Sequence, residues 1–238
     1  MRLSIFVLAA VLAFVFSVSA QTTLTVRHFE KGTRAAQAKQ FEAAIKDYRR
    51  AILLSETEKT SDDSLARIHF NLGVCFFNLR RTTEAAAEFT EAIKLSRRVY
   101  QKAFYALGMA ESELKNWRAA ETAFREAVRL KKADGEAWFD LGLVLLERED
   151  YDAAETAFQK AIKFESVGAT DARNNLGVIF ALKGNFPAAV TEFKTALIES
   201  NGESIEARNN LEFCKLYKRN FNQNLLAILK FSRKNQGE

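Results

Sequence analysis

The sequence has few of the residues that interrupt helices. One proline and ten glycines occur among 238 residues, and this scarcity favours helix because these two residues usually mark turns and breaks. The spacings of known catalytic and metal sites are also lacking: there is no Ser/His/Asp arrangement, no H-E-x-x-H motif and no phosphate-binding glycine loop. The sequence therefore indicates an all-α chain and predicts no enzyme activity, no cofactor and no metal site.

The chain also lacks a dominant charge. Its 35 basic and 30 acidic residues are intermixed and leave a net charge of +5, without the basic face and interleaved aromatic residues of a nucleic-acid-binding protein. Hydrophobic residues make up 48% of the chain, so disorder from a shortage of apolar residues is not expected. These features predict an ordered helical protein that does not bind nucleic acid.

The first twenty residues differ from the rest. A short basic start precedes an almost wholly apolar run over 5–16, and small residues follow over 18–20, which are the three parts of a secretory signal peptide. Cleavage is predicted between Ala20 and Gln21. An uncleaved anchor is the alternative, but the apolar run is short for a membrane span of about 20 residues. Membrane association is expected only if this leader is retained, and the chain is predicted to function in the periplasm, outside the cell or in the secretory pathway.

Behind the leader, one pattern recurs along the chain. Four columns share a spacing of 41, 35, 34 and 35 residues: a glycine, an alanine, an aromatic residue and a second alanine. The columns are Gly32, Gly73, Gly108, Gly142 and Gly177; Ala44, Ala85, Ala120, Ala154 and Ala189; Tyr48, Phe89, Phe124, Phe158 and Phe193; and Ala51, Ala92, Ala127, Ala161 and Ala196. A shared period of about 34 residues indicates a stack of supersecondary units.

Each unit is predicted to contain two helices, because apolar residues follow the i, i+3, i+4, i+7 rule twice per repeat. In the fourth repeat the two faces are Trp138, Leu141, Gly142 and Leu145, then Tyr151, Ala154, Phe158 and Ala161. The glycine and alanines let the two helices approach closely, and the rings fill the space beside them. The residues Asp134, Thr170 and Ser204 are predicted to cap the first helices of the repeats that follow.

These residues resemble the tetratricopeptide repeat. The family pattern W-x2-L-G-x2-Y…A-x3-F is matched by Trp138, Leu141, Gly142, Ala154 and Phe158, with leucine in place of the tyrosine. The resemblance implies an all-α, right-handed α-solenoid of helix-turn-helix repeats. Repeats are expected at about 25–58, 66–99, 101–134, 135–168 and 170–203, with a degenerate capping unit over 205–238 whose second helix runs from Phe221 to Phe231.

Histidine and cysteine each occupy a repeated slot. The side chains of His28 and His69 are predicted to pack against the partner helix, since the pattern does not supply the nearby carboxylates or thiols of a metal site. The residues Cys75 and Cys214 lie four repeats apart, farther than the Cα separation of about 7 Å that a disulfide spans. They are expected to be small buried hydrophobic residues, and an intermolecular disulfide is left open.

Each first helix carries a second apolar stripe, where an ordinary surface helix would be polar. In the resembling family this side lines a concave groove that receives partner peptides, and an asparagine column beside it resembles a slot that holds the backbone of an extended peptide. The candidate groove residues are Phe70, Asn71, Phe77, Tyr105, Met109, Phe139, Leu143, Asn174, Asn175, Asn209 and Asn210. The alternatives are packing between helices for the apolar residues, and capping or solvent exposure for the asparagines.

The expected function is a non-catalytic protein-interaction scaffold outside the cytoplasm, binding a partner peptide or helix on the concave face. One alternative is a fixed subunit or assembly factor of a cell-envelope complex, docked through the predicted C-terminal helix. A less favoured alternative is a carrier of an apolar small molecule held against Phe70, Phe77, Tyr105 and Met109. The partner, the oligomeric state and whether the protein's own tail occupies the groove are left open by the sequence.

Overall fold

The computed structural model describes residues 23–217, 229 and 231, and this part of the chain contains helices and turns but no strand. Its helices are α1 Leu24–Gln37, α2 Phe41–Ser55, α3 Asp62–Asn78, α4 Thr82–Leu95, α5 Gln101–Glu113, α6 Trp117–Leu130, α7 Gly135–Glu147, α8 Tyr151–Lys163, α9 Ala169–Leu182, α10 Phe186–Glu199 and α11 Ile205–Tyr217. Odd-numbered helices are the first helices of the predicted repeats, and even-numbered helices are the second. The predicted all-α class is confirmed.

The chain forms two compact units, unit 1 over Met1–Ser96 and unit 2 over Arg97–Glu238. Unit 1 contains α1 to α4, and unit 2 contains α5 to α11. Within each unit the two helices of a repeat pack on each other, and each second helix packs on the first helix of the next repeat. First helices also touch one another: α1 contacts α3 in unit 1, while α5 contacts α7 and α9 contacts α11 in unit 2.

In each of the five repeats, the glycine of the first helix faces the aromatic ring of the second helix. A Cβ atom added to Gly142 would lie 2.6 Å from Cε1 of Phe158, and one added to Gly73 would lie 2.7 Å from the ring of Phe89. Only glycine leaves room for the ring at this distance. The alanine that follows in the second helix is fully buried in each of the five repeats, at Ala44, Ala85, Ala120, Ala154 and Ala189. Close approach of the paired helices, predicted from these columns, is confirmed.

The turn between the two helices of a repeat uses one left-handed residue in a constant slot. The angle φ lies between 58° and 77° at Lys39, Arg80, Lys115, Glu149 and Gly184. A residue of this kind is a common way for a helix to end, but a side chain makes the left-handed region costly, and glycine avoids that cost. The first four repeats therefore carry a local strain that the fifth lacks.

Two of the three predicted helix caps are present. The Asp134 side chain accepts a hydrogen bond from the Ala137 N–H at the start of α7. The Ser204 hydroxyl accepts one from the Ala207 N–H at the start of α11. The prediction for Thr170 is wrong, because α9 begins one residue earlier and follows Gly168, which has no side chain to cap it.

The first join between repeats carries seven additional residues over 59–65. Part of this insertion extends α3, the longest helix described at 17 residues, which starts behind a Ser61 cap. Just before the insertion, the Glu58 carboxylate accepts hydrogen bonds of 3.0 Å from the backbone N–H groups of Leu24 and Thr25. Hydrogen bonds from Thr25 and Leu24 lower the pKa of this carboxyl. The join thus supplies a cap for α1 that the regular repeat does not have.

Two predictions concern the ends of the chain, and the structure describes only the C-terminal one, in part. The leader and its cleavage site, Ala20 and Gln21, lie outside the described residues. In the capping unit, Leu229 and Phe231 are described and belong to no helix. The predicted second helix ending at Phe231 is therefore wrong at these two positions.

Candidate interaction surface

The aromatic members of the second stripe pack on the rings of their own repeat. In unit 1, the rings of Phe70 and Phe89 have centroids 5.8 Å apart. In unit 2, the centroid of Phe139 lies 5.7 Å from that of Phe158, in an edge-to-face arrangement that aromatic pairs prefer. The side chain of Phe139 is fully buried. The structure therefore corrects its assignment to the groove: Phe139 belongs to the core, whereas Phe70 remains half-buried.

A polar contact joins the first helices of the third and fourth repeats. The Tyr105 hydroxyl on α5 donates a 2.7 Å hydrogen bond to Oδ2 of Asp140 on α7. Burial and the neighbouring Asp140 carboxylate raise the pKa of Tyr105, so the hydroxyl stays protonated and remains the donor. The tyrosine was predicted as a groove residue, and it is half-buried. Its acceptor Asp140 occupies the slot that holds asparagine at Asn71, Asn175 and Asn210.

The same two slots are joined by asparagines between the fifth repeat and the capping unit. The Asn210 amide on α11 donates a 2.9 Å hydrogen bond to Oδ1 of Asn174 on α9. The Asn174 amide in turn lies 3.5 Å from Oδ1 of Asn175. All three side chains are buried, and an amide can donate and accept at once. Predicted as groove residues, the three asparagines are instead enclosed in the fold, and the bond between Asn210 and Asn174 joins two consecutive first helices.

The remaining asparagines of the candidate groove differ in their surroundings. In unit 1, Asn71 is half-buried, and the Tyr48 hydroxyl of the preceding repeat hydrogen-bonds Thr33 of its own repeat. In unit 2, Asn209 is exposed at the start of α11. At Asp140 and Asn210, the residue in the slot of Asn71 thus hydrogen-bonds the first helix of the preceding repeat, a structural role that needs no partner peptide.

Apolar side chains that remain partly exposed lie along the first helices. In unit 2 these are Met109 on α5 and both Leu143 and Leu146 on α7. The residues Met109 and Leu143 hold equivalent slots on two first helices that touch, so their side chains belong to one stripe. In unit 1, Phe77 is likewise half-buried near the end of α3. In unit 2, Met109, Leu143 and Leu146 are thus apolar side chains of the first helices that the fold leaves partly exposed.

The same stripe is covered at the C-terminal end of unit 2. Equivalent to Met109 and Leu143 are Val178 on α9 and Phe213 on α11, which are only 1% and 7% exposed. Both belong to an apolar cluster that also contains Leu229, itself 8% exposed, with Phe231 packed against it. The sequence left open whether the tail occupies the groove, and it placed Leu229 and Phe231 in a helix.

The histidines face carboxylates on their partner helices. In unit 1, Nδ1 of His28 lies 2.9 Å from the Asp47 carboxylate, and Nδ1 of His69 lies 2.6 Å from that of Glu88. Both pairs are 19 residues apart, and the prediction that no carboxylate lies near the histidines is wrong. In the fifth repeat the same slots hold Arg173 and an acidic partner, Glu192; in the third and fourth repeats they hold Phe104 with Ala123 and Trp138 with Ala157. A basic side chain in the first slot is therefore accompanied by an acidic one in the second, and an aromatic side chain by alanine.

No group of three or more potential metal-ligating His, Cys, Asp or Glu side chains occurs in the part of the chain that the structure describes. Each histidine therefore has one carboxylate neighbour, and neither pair is part of a larger group that could hold a metal ion. Both cysteines are free and buried, as predicted, and burial raises the pKa of each thiol to about 11. Among the described residues, no helix is long and apolar enough to cross a membrane.

Comparison with protein families decides what the repeated helix pairs are. The model of the tetratricopeptide repeat matches residues 29–98 and 105–169, together more than half of the chain. The chain belongs to the tetratricopeptide repeat family. The resemblance inferred from the glycine, alanine and aromatic columns is thereby confirmed. No curated protein matches the chain.

Several solved structures share this fold. The chain is similar to the MamA protein, with 23% identity, a TM-score of 0.66 and coverage of 76% of this chain and 94% of that one. A MamA structure from Desulfovibrio magneticus RS-1 gives 19% identity and a TM-score of 0.66, over 78% of this chain and 99% of that one. The protein YrrB, described as a TPR protein with an unusual peptide-binding site, gives 23% identity and a TM-score of 0.67, over 77% and 90%. At these identities the similarity establishes the fold.

Proposed function

We propose that this tetratricopeptide repeat protein is a non-catalytic interaction scaffold that binds a segment of a partner protein on the exposed stripe of its first helices. The observation that carries this is the half-buried surface of Met109, Leu143 and Leu146 in unit 2. These side chains lie on ordered helices but are not fully enclosed by them. Contiguous apolar surface of this kind usually marks a binding site.

The physical basis of binding is a pre-formed surface. Because α5 and α7 are held by their second helices and by the bond between Tyr105 and Asp140, the stripe needs little rearrangement to receive a partner. Affinity would come from burying the methionine and leucine side chains, and pre-organisation would reduce the entropic cost. The solved structure of YrrB, titled as a TPR protein with an unusual peptide-binding site, supports a peptide as the class of partner.

The test is partner capture by variants of the stripe. We expect Met109→Ser with Leu143→Ser to weaken binding by roughly tenfold or more, because truncated apolar anchors often cost that much. Partners would first be identified by crosslinking in cells that produce the protein, and their affinity then measured with purified components. A matched control is Val167→Ser, since Val167 is 84% exposed in the turn between two helices. Unchanged affinity in the double variant, with its helical signal intact, would contradict the proposal.

We further propose that the scaffold acts outside the cytoplasm, with residues 1–20 removed. The basic start, apolar run and small residues before Gln21 support this proposal. Mass spectrometry of the N-terminus, made on protein from separated cell fractions, tests it directly. A chain that retains the leader in the cytoplasmic fraction would contradict it.

A further inference from the structure

The stripe changes character along unit 2, and the change coincides with the protein's own tail. In equivalent slots, Met109 and Leu143 are half-buried, whereas Val178 and Phe213 are buried. The buried pair shares an apolar cluster with Leu229. The stripe is thus covered at Val178 and Phe213, the two members that pack in one cluster with Leu229 of the tail.

The tail residues have the spacing of an extended segment. Both Leu229 and Phe231 lie outside any helix and pack on the same cluster. Residues i and i+2 project to the same side when a chain is extended, which is not so on a helix. Two apolar side chains separated by one lysine in the sequence can therefore enter one apolar surface together.

The chain is long enough for this contact to form within one molecule. Twelve residue steps separate Tyr217, the end of α11, from Leu229, and an extended chain covers up to about 3.5 Å per step. That reach of roughly 40 Å exceeds the width of several packed helices. A segment that belongs to the same chain as the surface it binds also has a high effective concentration there. A weakly binding tail can therefore keep the surface covered.

We propose that α9 and α11 form a docking site for an extended segment with apolar side chains two residues apart, and that Leu229 and Phe231 occupy this site in the free protein. An incoming partner segment of the same pattern would displace the tail. The proposal rests on the scaffold function proposed above and specifies its regulation, since the tail restricts how much of the stripe is open.

The two cysteines provide a test within the full-length chain. The residue Cys214 is buried in the tail's cluster, while Cys75 is buried in unit 1. The full chain carrying Leu229→Ser and Phe231→Ser would be treated with iodoacetamide, and the modification of each cysteine followed by mass spectrometry. Labelling of Cys214 should accelerate about tenfold or more, because losing a buried apolar side chain shifts an opening equilibrium by roughly that factor. Labelling of Cys75 should not change.

A peptide covering residues 225–235 then tests whether the exposed surface is a docking site. Added to the double variant, it should restore protection of Cys214. The same peptide with serine in place of its leucine and phenylalanine at the two tail positions should not. A control protein variant is Ile205→Ser, because Ile205 is exposed on α11 and its loss should leave both cysteines protected.

Each other outcome would overturn the inference. Faster labelling of both cysteines would show that the tail residues are needed for the fold as a whole. No change at Cys214 would show that the tail does not cover the site, and failure of the peptide to restore protection would show that the surface is not a docking site. These results are independent of partner capture through Met109 and Leu143. Failure of one proposal is therefore distinguishable from failure of the other.

Discussion

The contact between glycine and ring in each repeat makes a quantitative prediction. In Gly142→Ala, the new methyl group would stand 2.6 Å from Cε1 and 2.8 Å from Cζ of Phe158, whose ring is fully buried. Replacing glycine by alanine inside a helix is favourable by about 1 kcal/mol, whereas overpacking a tight core costs about 1–3 kcal/mol. The clash should dominate, so we expect unit 2 to lose up to about 2 kcal/mol of stability.

A double-mutant cycle isolates the clash from the helix propensity. In Phe158→Leu, Cε1 and Cζ are absent and the Cδ1 atom, 2.9 Å from the added carbon in the wild type, becomes the end of a flexible side chain that can move away. Alanine at 142 should there be neutral or stabilising by up to about 1 kcal/mol. The coupling between the two substitutions should therefore be about 1–3 kcal/mol in favour of the double variant. Phe158→Leu alone should destabilise, because it leaves a cavity.

Urea unfolding followed by tryptophan fluorescence would measure these differences. The chain has two tryptophans, Trp117 and Trp138, and both lie in unit 2 with Gly142. The reasoning would be refuted if alanine at 142 stabilised the wild-type background. It would equally be refuted if alanine cost the same amount with phenylalanine and with leucine at 158.

Three further predictions concern the turns, the asparagines and acid stability. Glu149→Gly should stabilise unit 2 by about 1 kcal/mol, because φ at Glu149 is 60°. Gly184→Ala should destabilise unit 2 although no atom lies near the added carbon, because φ at Gly184 is 77°. A shift of the thermal unfolding temperature in the opposite direction in either variant would contradict this. Asn210→Ala should lower the free energy of unfolding in urea by about 1–3 kcal/mol, because the buried oxygen of Asn174 loses the hydrogen bond from Asn210. An unchanged midpoint would show that this bond does not contribute to stability. Burial raises the pKa of Asp47, but the hydrogen bonds from His28 and Lys31 outweigh this effect and leave the pKa lowered. The contribution of Asp47 to stability is therefore present above the ordinary pKa of 3.8 and is lost as the pH falls through the lower, folded-state value. Acid titration followed by circular dichroism should show a smaller acid-induced loss of stability in Asp47→Asn than in the wild type.

The candidate site was less predictable than the fold. An aromatic residue at position 139 is expected whether its ring faces a partner or its own second helix, since both environments favour the same residue type. Likewise, the asparagine amides of Asn174 and Asn210 suit a peptide backbone and each other equally. Only the position of the next first helix distinguishes these alternatives, and that position depends on how the repeats stack.

The sequence by itself determined the repeat, its two helices and the contact between glycine and ring, because these are local. A helix follows from short-range periodicity, and Gly142 meets Phe158 within one pair of adjacent helices. The tertiary structure alone decided that Asn174 is buried and that Leu229 joins the cluster of Val178 and Phe213. These are contacts between residues far apart in sequence, and the same apolar stripe can be completed by a partner or by the chain itself. Burial of apolar area is non-directional, so the pattern of residues shows that the surface must be covered, while the path of the chain determines what covers it.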